Sequence, residues 1–146
     1  GGVGISRHHT SRSLSGVGDS VREVWLEKRA YLMSECLFCK IVARTIPAAL
    51  IYEDDLVVAF DDINPQAPTH TLVIPRKHVA SIAELQDSDV GLLGHLMLTG
   101  NKIATLKGIA DAGYRFVINT GVDGGQTVFH LHLHVLGGRH MAWPPG

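Results

Sequence analysis

Long apolar runs, abundant cysteine and an excess of either charge are all missing from this chain of 146 residues. The longest apolar stretches span only a few residues, as in Leu56–Phe60, whereas a membrane span needs about 20, so we predict no membrane segment. Two cysteines cannot build a disulfide-dense scaffold. A net charge of −1 with neutral histidines argues against a basic surface for nucleic acid. Because no secretory leader is recognisable, we expect a cytoplasmic protein.

The composition, 45% hydrophobic and 18% charged, suits one folded domain. The first residues differ from the rest. Residues 1–18 are rich in glycine, serine and histidine and are expected to be flexible. Residues 20–32 have the pattern of a short helix, with Ser20 and Glu23 spaced as a capping box. Met33 resembles a natural start, so we expect residues 1–32 to be a tail or no part of the natural protein, and residues 33–146 to form the domain.

The domain mixes helix and strand patterns without a regular strand–helix–strand alternation. Helices are predicted at Cys36–Arg44 and Ser88–Lys107, and strands at Leu50–Tyr52, Leu56–Asp61, Thr71–Pro75, Tyr114–Asn119 and His130–Leu136. This order favours an α+β fold with a mainly antiparallel sheet of about five strands, one long helix and one short helix.

The predicted long helix is apolar over an arc of about 200°, wider than the stripe of an ordinary surface helix. The arc consists of two apolar stripes, and the second includes Leu92, Leu96, Ile103 and Leu106. Gly91, Gly94 and Gly100 allow another helix to approach closely. We therefore predict a two-fold homodimer around this helix, with the sheet continued across the axis through Tyr114–Asn119. Leu96→Glu is expected to weaken the dimer if Leu96 faces the partner.

Histidine and apolar residues alternate strictly from Phe129 to Leu136. In a strand, His130, His132 and His134 share one face, and Leu131 and Leu133 point into the core. Two kinds of chemistry fit three imidazoles in a row. One is metal ligation, and the other is nucleophilic or acid–base catalysis near the imidazole pKa of about 6.5.

A glycine-rich loop lies directly upstream, from Asn119 to Thr127. Such a loop can point backbone N–H groups at a phosphate, although a plain turn between strands is the commoner cause. Beside a row of histidines it favours chemistry at phosphorus. His70, taken alone, fits a buried structural histidine, and Asp61-Asp62 fit either a solvated strand end or an acceptor for ribose hydroxyls.

Cys36 and Cys39 form a Cys-x-x-Cys pair. It fits half of a zinc site, a redox pair or ordinary core residues, and the alternating context of a thioredoxin fold is absent. His78 and His130 are the histidines that can complete a tetrahedral site.

These motifs together resemble the histidine triad (HIT) superfamily, whose hallmark is His-x-His-x-His flanked by apolar residues. Pro-Gln-Ala-Pro-Thr-His at Pro65–His70, Asp123–Gln126, Val135–Arg139 and the ending Trp143–Gly146 resemble the Hint branch, the purine nucleoside phosphoramidases. The resemblance covers about residues 34–146. It implies a homodimer that hydrolyses nucleoside 5′-phosphoramidates, such as AMP amides, to nucleotide and amine without a catalytic cofactor.

The resemblance also implies roles for individual residues. His132 is the nucleophile, His134 assists the leaving group, and His130 and His70 form a supporting relay. Phosphate oxygens are held by Gly125, Gln126 and Thr127, the last standing where many members have serine, with Asn119 nearby. The ribose is bound by Asp62, and the base is enclosed by Phe38, Ile41, Phe60, Ile63 and Leu72. Trp143 is a further nucleotide-binding residue. Some bacterial-type members carry a structural zinc, for which Cys36, Cys39, His78 and His130 are the ligands; metal-free cysteines are the alternative.

Three further functions compete with this prediction. A dinucleoside polyphosphate hydrolase belongs to another HIT branch, and the Trp143–Gly146 ending argues against it. A zinc hydrolase uses all three histidines as ligands, and a nucleotide-binding regulatory module has no turnover. Base preference, the amine released and the pathway are not readable from these motifs.

Overall fold

The computed structural model describes Gly2, residues 20–28 and residues 35–146. The chain divides into two compact units, Gly1–Leu32 and Met33–Gly146. In the first unit, residues 20–28 form helix α1, within the predicted helix 20–32. The predicted flexible segment 1–18, apart from Gly2, and residues 29–32 lie outside the described residues.

The second unit is an α+β domain, as predicted. Its elements are α2 (Leu37–Val42), β1 (Leu50–Glu53), β2 (Val57–Asp61), β3 (Thr69–Pro75), α3 (Val90–Leu106), β4 (Tyr114–Val117) and β5 (Leu133–Gly137). Two 3-10 turns, Ile82–Glu84 and Asp87–Asp89, precede α3. The five strands form one sheet in the order β1-β2-β3-β5-β4, and every neighbouring pair is antiparallel.

The period-two pattern of the strands gives the sheet two apolar faces. One face, with Val73, Leu133 and Val135, packs against Leu96 and Ile103 of α3. The other face includes Val58, Phe60, Leu72 and Ile74 and packs against Phe38 and Ile41 of α2. The sheet is therefore a middle layer between a long helix and a short one. No helix in the described part of the chain is long and apolar enough to cross a membrane.

The orientation of helix α3 differs from the prediction that its second apolar stripe faces a dimer partner. Leu96 is fully buried against the sheet of its own chain, so the condition for the Leu96→Glu test, that Leu96 faces a partner, is not met. Gly100 also faces inwards, where an added Cβ would lie 2.6 Å from Cζ of Phe116. The exposed apolar side chains of the helix are Val90, Met97, Leu98 and Leu106.

Strand β5 begins later than predicted. It pairs with β3 only from Leu133 onwards, because His130–His132 leave the ladder and the N–H of Leu131 donates to the carbonyl oxygen of Val79. The first two histidines of the triad therefore precede the strand, and only His134 lies on it.

Candidate active site

The three triad histidines are all at least partly buried. His130 is fully buried, His132 is 7% exposed and His134 is partly buried. The Phe38 ring meets those of His130 and His132 edge-on, with centroids 5.9 and 5.1 Å apart. The side chain of each histidine has different hydrogen-bond partners, so the three rings do different things.

His132 presents a free lone pair. Its Nδ1 lies 2.7 Å from the carbonyl oxygen of His130. Because a carbonyl only accepts, Nδ1 carries the proton, and in the neutral ring Nε2 is unprotonated. Burial lowers the pKa of His132 below its ordinary value, so the ring is neutral at pH 7. An unprotonated imidazole nitrogen attacks an electrophile without a separate base.

His70 and His134 form a directed pair. The backbone N–H of Gln66 donates to Nδ1 of His70 at 3.0 Å, which places the proton of the neutral ring on Nε2. That nitrogen lies 2.8 Å from Nδ1 of His134 and 3.5 Å from Oδ2 of Asp62. His134 therefore accepts at Nδ1 and carries its own proton on Nε2.

The Nε2 of His134 is buried and has no hydrogen-bond partner among the described residues. A buried donor without a partner is costly, which is typical of a group that awaits a ligand. Burial lowers the pKa of His134 to about 4, helped by His132 and His70, and burial also lowers the pKa of His70. The rings of His132 and His134 meet at a centroid distance of 4.8 Å. A lone pair and an N–H thus stand side by side.

His130 corrects the predicted relay. Its Nε2 donates to the carbonyl oxygen of Pro75 at 2.8 Å, and its Nδ1 faces Cys36, Cys39 and His78. The ring is turned away from the His70–His134 pair, since neither nitrogen is directed towards it. Among the hydrogen bonds described, His130 contacts His132 through its backbone carbonyl, which orients the His132 ring.

Cys36, Cys39, His78 and His130 form a candidate metal centre, with ligand atoms all within 4.8 Å of one another. Nδ1 of His130 is 3.5 Å from each sulfur, and Nδ1 of His78 is 3.1 Å from Sγ of Cys39 and 3.2 Å from Nδ1 of His130. Tetrahedral zinc, with bonds of about 2.3 Å to sulfur and about 2.0 Å to nitrogen, separates two nitrogens by about 3.3 Å and nitrogen from sulfur by about 3.5 Å. The donor set and its spacing therefore fit zinc.

The protonation of Cys39 and His130 bears on how this cluster would bind a cation. Burial and the adjacent Cys36 raise the pKa of Cys39 to about 12, so the thiol stays protonated unless a positive charge is supplied. The bond to Pro75 holds the His130 proton on Nε2 and leaves Nδ1 as a ligand. Zinc bound here would join the residues before and within α2 to the segment that ends at His132.

The glycine-rich loop is closed by its own hydrogen bonds. The N–H groups of Gly125 and Gln126 donate to the carbonyl oxygens of Val122 and Gly121, both at 3.0 Å. The Gln126 side chain is buried, accepts from the Gly121 N–H at 3.1 Å and donates to the Ala80 carbonyl at 2.6 Å. The two N–H groups predicted to face phosphate are engaged, so Gln126 positions the loop. Thr127 follows it and is exposed.

The predicted nucleoside-binding residues are placed unevenly. Phe38, Ile41, Phe60 and Leu72 form a buried cluster beside His132, whereas Ile63 is 99% exposed. A cavity of about 350 Å³ is bordered by Ile41 and also lined by Arg44, Ile46, Pro47, Ala48, Leu50 and Glu53.

The polar and C-terminal residues predicted to bind the nucleotide have different surroundings. Asp62 stands at the His70–His134 pair, with Oδ1 accepting from the Asn64 N–H at 2.8 Å. Asn119 is half-buried beyond the end of β4. Trp143 is 80% exposed and stacks on Arg115, whose guanidinium is 6.0 Å from its ring. The contribution of Trp143 to nucleotide binding stays a prediction.

Sequence reasoning missed the main-chain groups that set the histidines. The Gln66 N–H, the Pro75 carbonyl and the His130 carbonyl decide which nitrogen of each ring carries a proton. Backbone groups occur at every position, so residue type gives no signal for them. A histidine four residues after Gln66 in a proline-punctuated loop is the one indirect indication.

Known proteins match this chain in sequence and in fold. The model of the HIT domain family matches residues 43–141. An uncharacterised HIT-like protein of Synechococcus elongatus is 54% identical over 115 residues, which are 79% of this chain and all of that protein. A HIT family hydrolase from Legionella pneumophila is 51% identical, with a TM-score of 0.75 over 77% of this chain and all of that one.

A zinc-bound relative bears on the cysteine cluster. The crystal structure of a zinc-bound histidine triad family protein from Mycobacterium smegmatis is 34% identical, with a TM-score of 0.65 over 73% of this chain and 77% of that one. A HIT-fold relative that binds zinc is thus known, which is compatible with a structural zinc at Cys36, Cys39, His78 and His130.

Proposed function

Because the chain belongs to the HIT family and has a hydrolase-like HIT fold, we propose that it hydrolyses purine nucleoside 5′-phosphoramidates to nucleotide and amine. The observation that carries the proposal is the pairing of complementary groups on adjacent rings. His132 offers an unprotonated Nε2, and His134 offers a buried N–H at Nε2 without a partner. A nucleophile and a proton donor side by side are what cleavage of a P–N bond needs.

The reaction would proceed in two displacements at phosphorus. Nε2 of His132 attacks, a P–N bond to histidine forms and the bond to the amine breaks, while the proton of His134 Nε2 goes to the leaving nitrogen. Water then displaces the nucleotide from His132 and returns the proton to His134. Neutral rings suit both steps, since a protonated His132 has no lone pair for attack.

The surroundings of the histidines support a nucleotide as substrate. Phe38 and its buried apolar neighbours lie beside His132, which gives the candidate site an apolar side against which a base can pack. Asp62 lies at the same end with one oxygen turned towards His70. We place the base against the apolar residues and the ribose near Asp62. Apolar walls accept either purine.

Zinc is proposed as a structural ion held by Cys36, Cys39, His78 and His130. Its chemistry there would be to neutralise two thiolates and to fix His130, whose carbonyl orients His132. The three triad histidines do not point at one centre, since His130 faces the cysteines and the Nδ1 of His134 faces His70. This arrangement argues against a zinc hydrolase with all three as ligands.

A homodimer is proposed through α3 and β4. Val90, Met97 and Leu98 leave an apolar strip on the outer side of α3, with Leu98 62% exposed. Strand β4 is an edge strand of the sheet, which a second copy can extend. Leu98→Glu is expected to shift the mass measured by light scattering from dimer to monomer. Leu56→Glu, at an exposed leucine before β2, is the control and is expected to leave the mass unchanged.

The decisive test is turnover of an alkyl phosphoramidate of AMP and of GMP by the wild type and by His132→Asn. We expect the wild type to release amine and the variant to lose activity by orders of magnitude while still binding AMP. Rapid quenching and mass spectrometry should trap a nucleotidyl group on His132. An adduct on another residue would contradict the assignment.

The same assay separates the competing functions. Faster cleavage of dinucleoside polyphosphates than of the amides would favour the other HIT branch. Nucleotide binding without turnover of either substrate would indicate a regulatory module. The cytoplasmic location stays a prediction.

A further inference from the structure

Arg139 is an exposed side chain with three hydrogen bonds to main-chain carbonyl oxygens. Its Nη2 and Nε donate to the carbonyl of Gln66 at 3.0 and 3.3 Å, and its Nη1 donates to the carbonyl of His140 at 3.1 Å. The planar guanidinium fork holds one oxygen from two nitrogens, which an ammonium group cannot reproduce. Arg139 follows β5 by two residues and is thus joined to the strand that carries His134.

The residue that Arg139 holds is the one that sets the His70 proton. Gln66 lies in the loop 62–68 between β2 and β3, and its N–H donates to Nδ1 of His70. Gly138 presses on the same loop. It has φ of +88°, and an added Cβ would lie 2.8 Å from Cβ of Pro68. The turn after β5 therefore fixes the loop by contact at Gly138 and by hydrogen bonds from Arg139.

The His70–His134 pair has two arrangements with the same number of protons. In the one described, His70 donates from Nε2 and His134 keeps its proton on Nε2. In the reverse arrangement His70 carries its proton on Nδ1, His134 donates from Nδ1, and Nε2 of His134 becomes a lone pair. Two described contacts favour the first arrangement: the Gln66 N–H occupies Nδ1 of His70, and the Asp62 carboxylate lies 3.5 Å from Nε2 of His70. The Gln66 N–H is the one that forms a hydrogen bond to the nitrogen where the reverse arrangement needs a proton.

We propose that Arg139 is a positioning residue that keeps the Gln66 N–H on His70 and thereby holds the transferable proton on Nε2 of His134. This role rests on the proposed hydrolysis, because the leaving nitrogen is the group that takes this proton. Arg139 itself touches neither histidine through its described bonds. Its effect passes through one peptide group and two imidazoles.

The direct test is nuclear magnetic resonance of protein with ¹⁵N-labelled histidine, which distinguishes protonated from unprotonated ring nitrogens. In the wild type at pH 7.5 we expect both His70 and His134 to carry the proton on Nε2. In Arg139→Gln, the ratio of this tautomer to the reverse one should fall about fivefold, the effect of losing one net hydrogen bond. Arg139→Lys should fall between the two, since it keeps the charge and loses the fork.

A matched control is available at Arg76. Its Nε also donates to a main-chain carbonyl, that of Asp54, at 2.7 Å, but this bond holds the turn between β1 and β2. Arg76→Gln removes a guanidinium–carbonyl bond of the same kind, so it is expected to leave the tautomers of His70 and His134 unchanged. A general loosening of the protein would move the spectra of both variants.

Kinetics give an independent readout. With an alkylamine leaving group, which needs the proton of His134, kcat of Arg139→Gln should fall up to about fivefold. With a good leaving group that departs as an anion, kcat should change much less. A merely structural defect would lower both rates equally.

Unchanged tautomers in Arg139→Gln, or a wild type with the His70 proton on Nδ1, would overturn the inference. A tautomer shift in a protein that turns over no phosphoramidate would support the positioning role and refute the proposed function. Equal loss with both leaving groups would contradict the role assigned to the His134 proton.

Discussion

Gly100 sits where α3 presses on the sheet beneath the triad, and its replacement by alanine tests how closely the two layers meet. A Cβ at this position would lie 2.6 Å from Cζ of Phe116 and 2.9 Å from Cδ2 of Leu133. Carbon atoms in contact normally stay about 3.5–4.0 Å apart, so the helix or both side chains must move by about 1 Å. Leu133 lies between His132 and His134, so the movement reaches the active site.

Two opposing effects set the magnitude. Alanine favours a helix interior by about 1 kcal/mol over glycine, and overpacking a core costs about 1–3 kcal/mol. Gly100→Ala is thus expected to lower the free energy of unfolding by about 0–2 kcal/mol. Gly94→Ala is the matched control on the same helix, because an added Cβ there meets nothing within 4 Å in its own chain. Since Gly94 lies between Val90 and Leu98 on the proposed dimer surface, both substitutions are compared in the Leu98→Glu background. Gly94→Ala is expected to stabilise by up to about 1 kcal/mol.

The difference between the two variants isolates the clash, because the helix preference is common to both. It should be about 1–3 kcal/mol, or about 4–12 °C in Tm for a domain of this size. Thermal and urea unfolding at one protein concentration measure it, and kcat reports the movement of Leu133. Equal stabilisation by both substitutions would refute the close contact between α3 and the sheet.

Three further predictions concern other parts of the domain. Asp54→Asn should lower the free energy of unfolding by about 1–2 kcal/mol at pH 7. Burial raises the pKa of Asp54, but hydrogen bonds from the Leu56 N–H, the Tyr52 hydroxyl and His95 outweigh burial and hold this pKa well below its ordinary value. A carboxylate whose pKa is lower in the folded than in the unfolded state stabilises the protein at pH values above its unfolded pKa. The difference in free energy of unfolding between wild type and Asp54→Asn, measured with urea, should therefore shrink as the pH falls below about 4, and a constant difference would contradict this. Elemental analysis should find one zinc per chain, lost in Cys39→Ser together with several degrees of Tm; metal-free wild type would refute the site. The acid limb of kcat/KM should have its midpoint below about 6.5, because burial lowers the pKa of His132 and the free base persists to lower pH; a midpoint above that value would contradict a neutral nucleophile.

The fold was predictable because local patterns and tertiary packing agree. Both helices of the domain and all five strands occur where the sequence patterns predict them, and apart from the start of β5 their ends coincide with the prediction or differ from it by one or two residues. Strand β5 is the exception at its start, because hydrogen bonding to β3 ends at Leu133 while the alternation of histidine and leucine continues upstream. Alternation reports which side a residue faces, and it does not report where a ladder stops.

The sequence predicts which residues lie together in the candidate site better than it predicts what each of them contacts. The motif indicates that His132 and His134 act together, and they are neighbours in space. The same motif predicts a relay role for His130, whose ring instead meets two cysteines more than 90 positions earlier in the chain. The composition of the glycine-rich loop predicts a phosphate-binding site. In the structure, the buried Gln126 side chain and the N–H groups of Gly125 and Gln126 instead form hydrogen bonds within the loop.

The family and the α+β architecture could thus be read from the chain alone, together with a set of candidate site residues, because hydrophobic period and residue type are properties of the sequence. Which nitrogen of each imidazole holds a proton follows from the folded structure, through the hydrogen bonds that each ring makes. A histidine's two nitrogens are equivalent in the sequence, and they become different when a particular N–H or carbonyl approaches one of them. The partner of His130, Pro75, is 55 positions away in the chain, whereas that of His70, Gln66, is four residues away in the preceding loop; both act through backbone groups, for which residue type gives no signal.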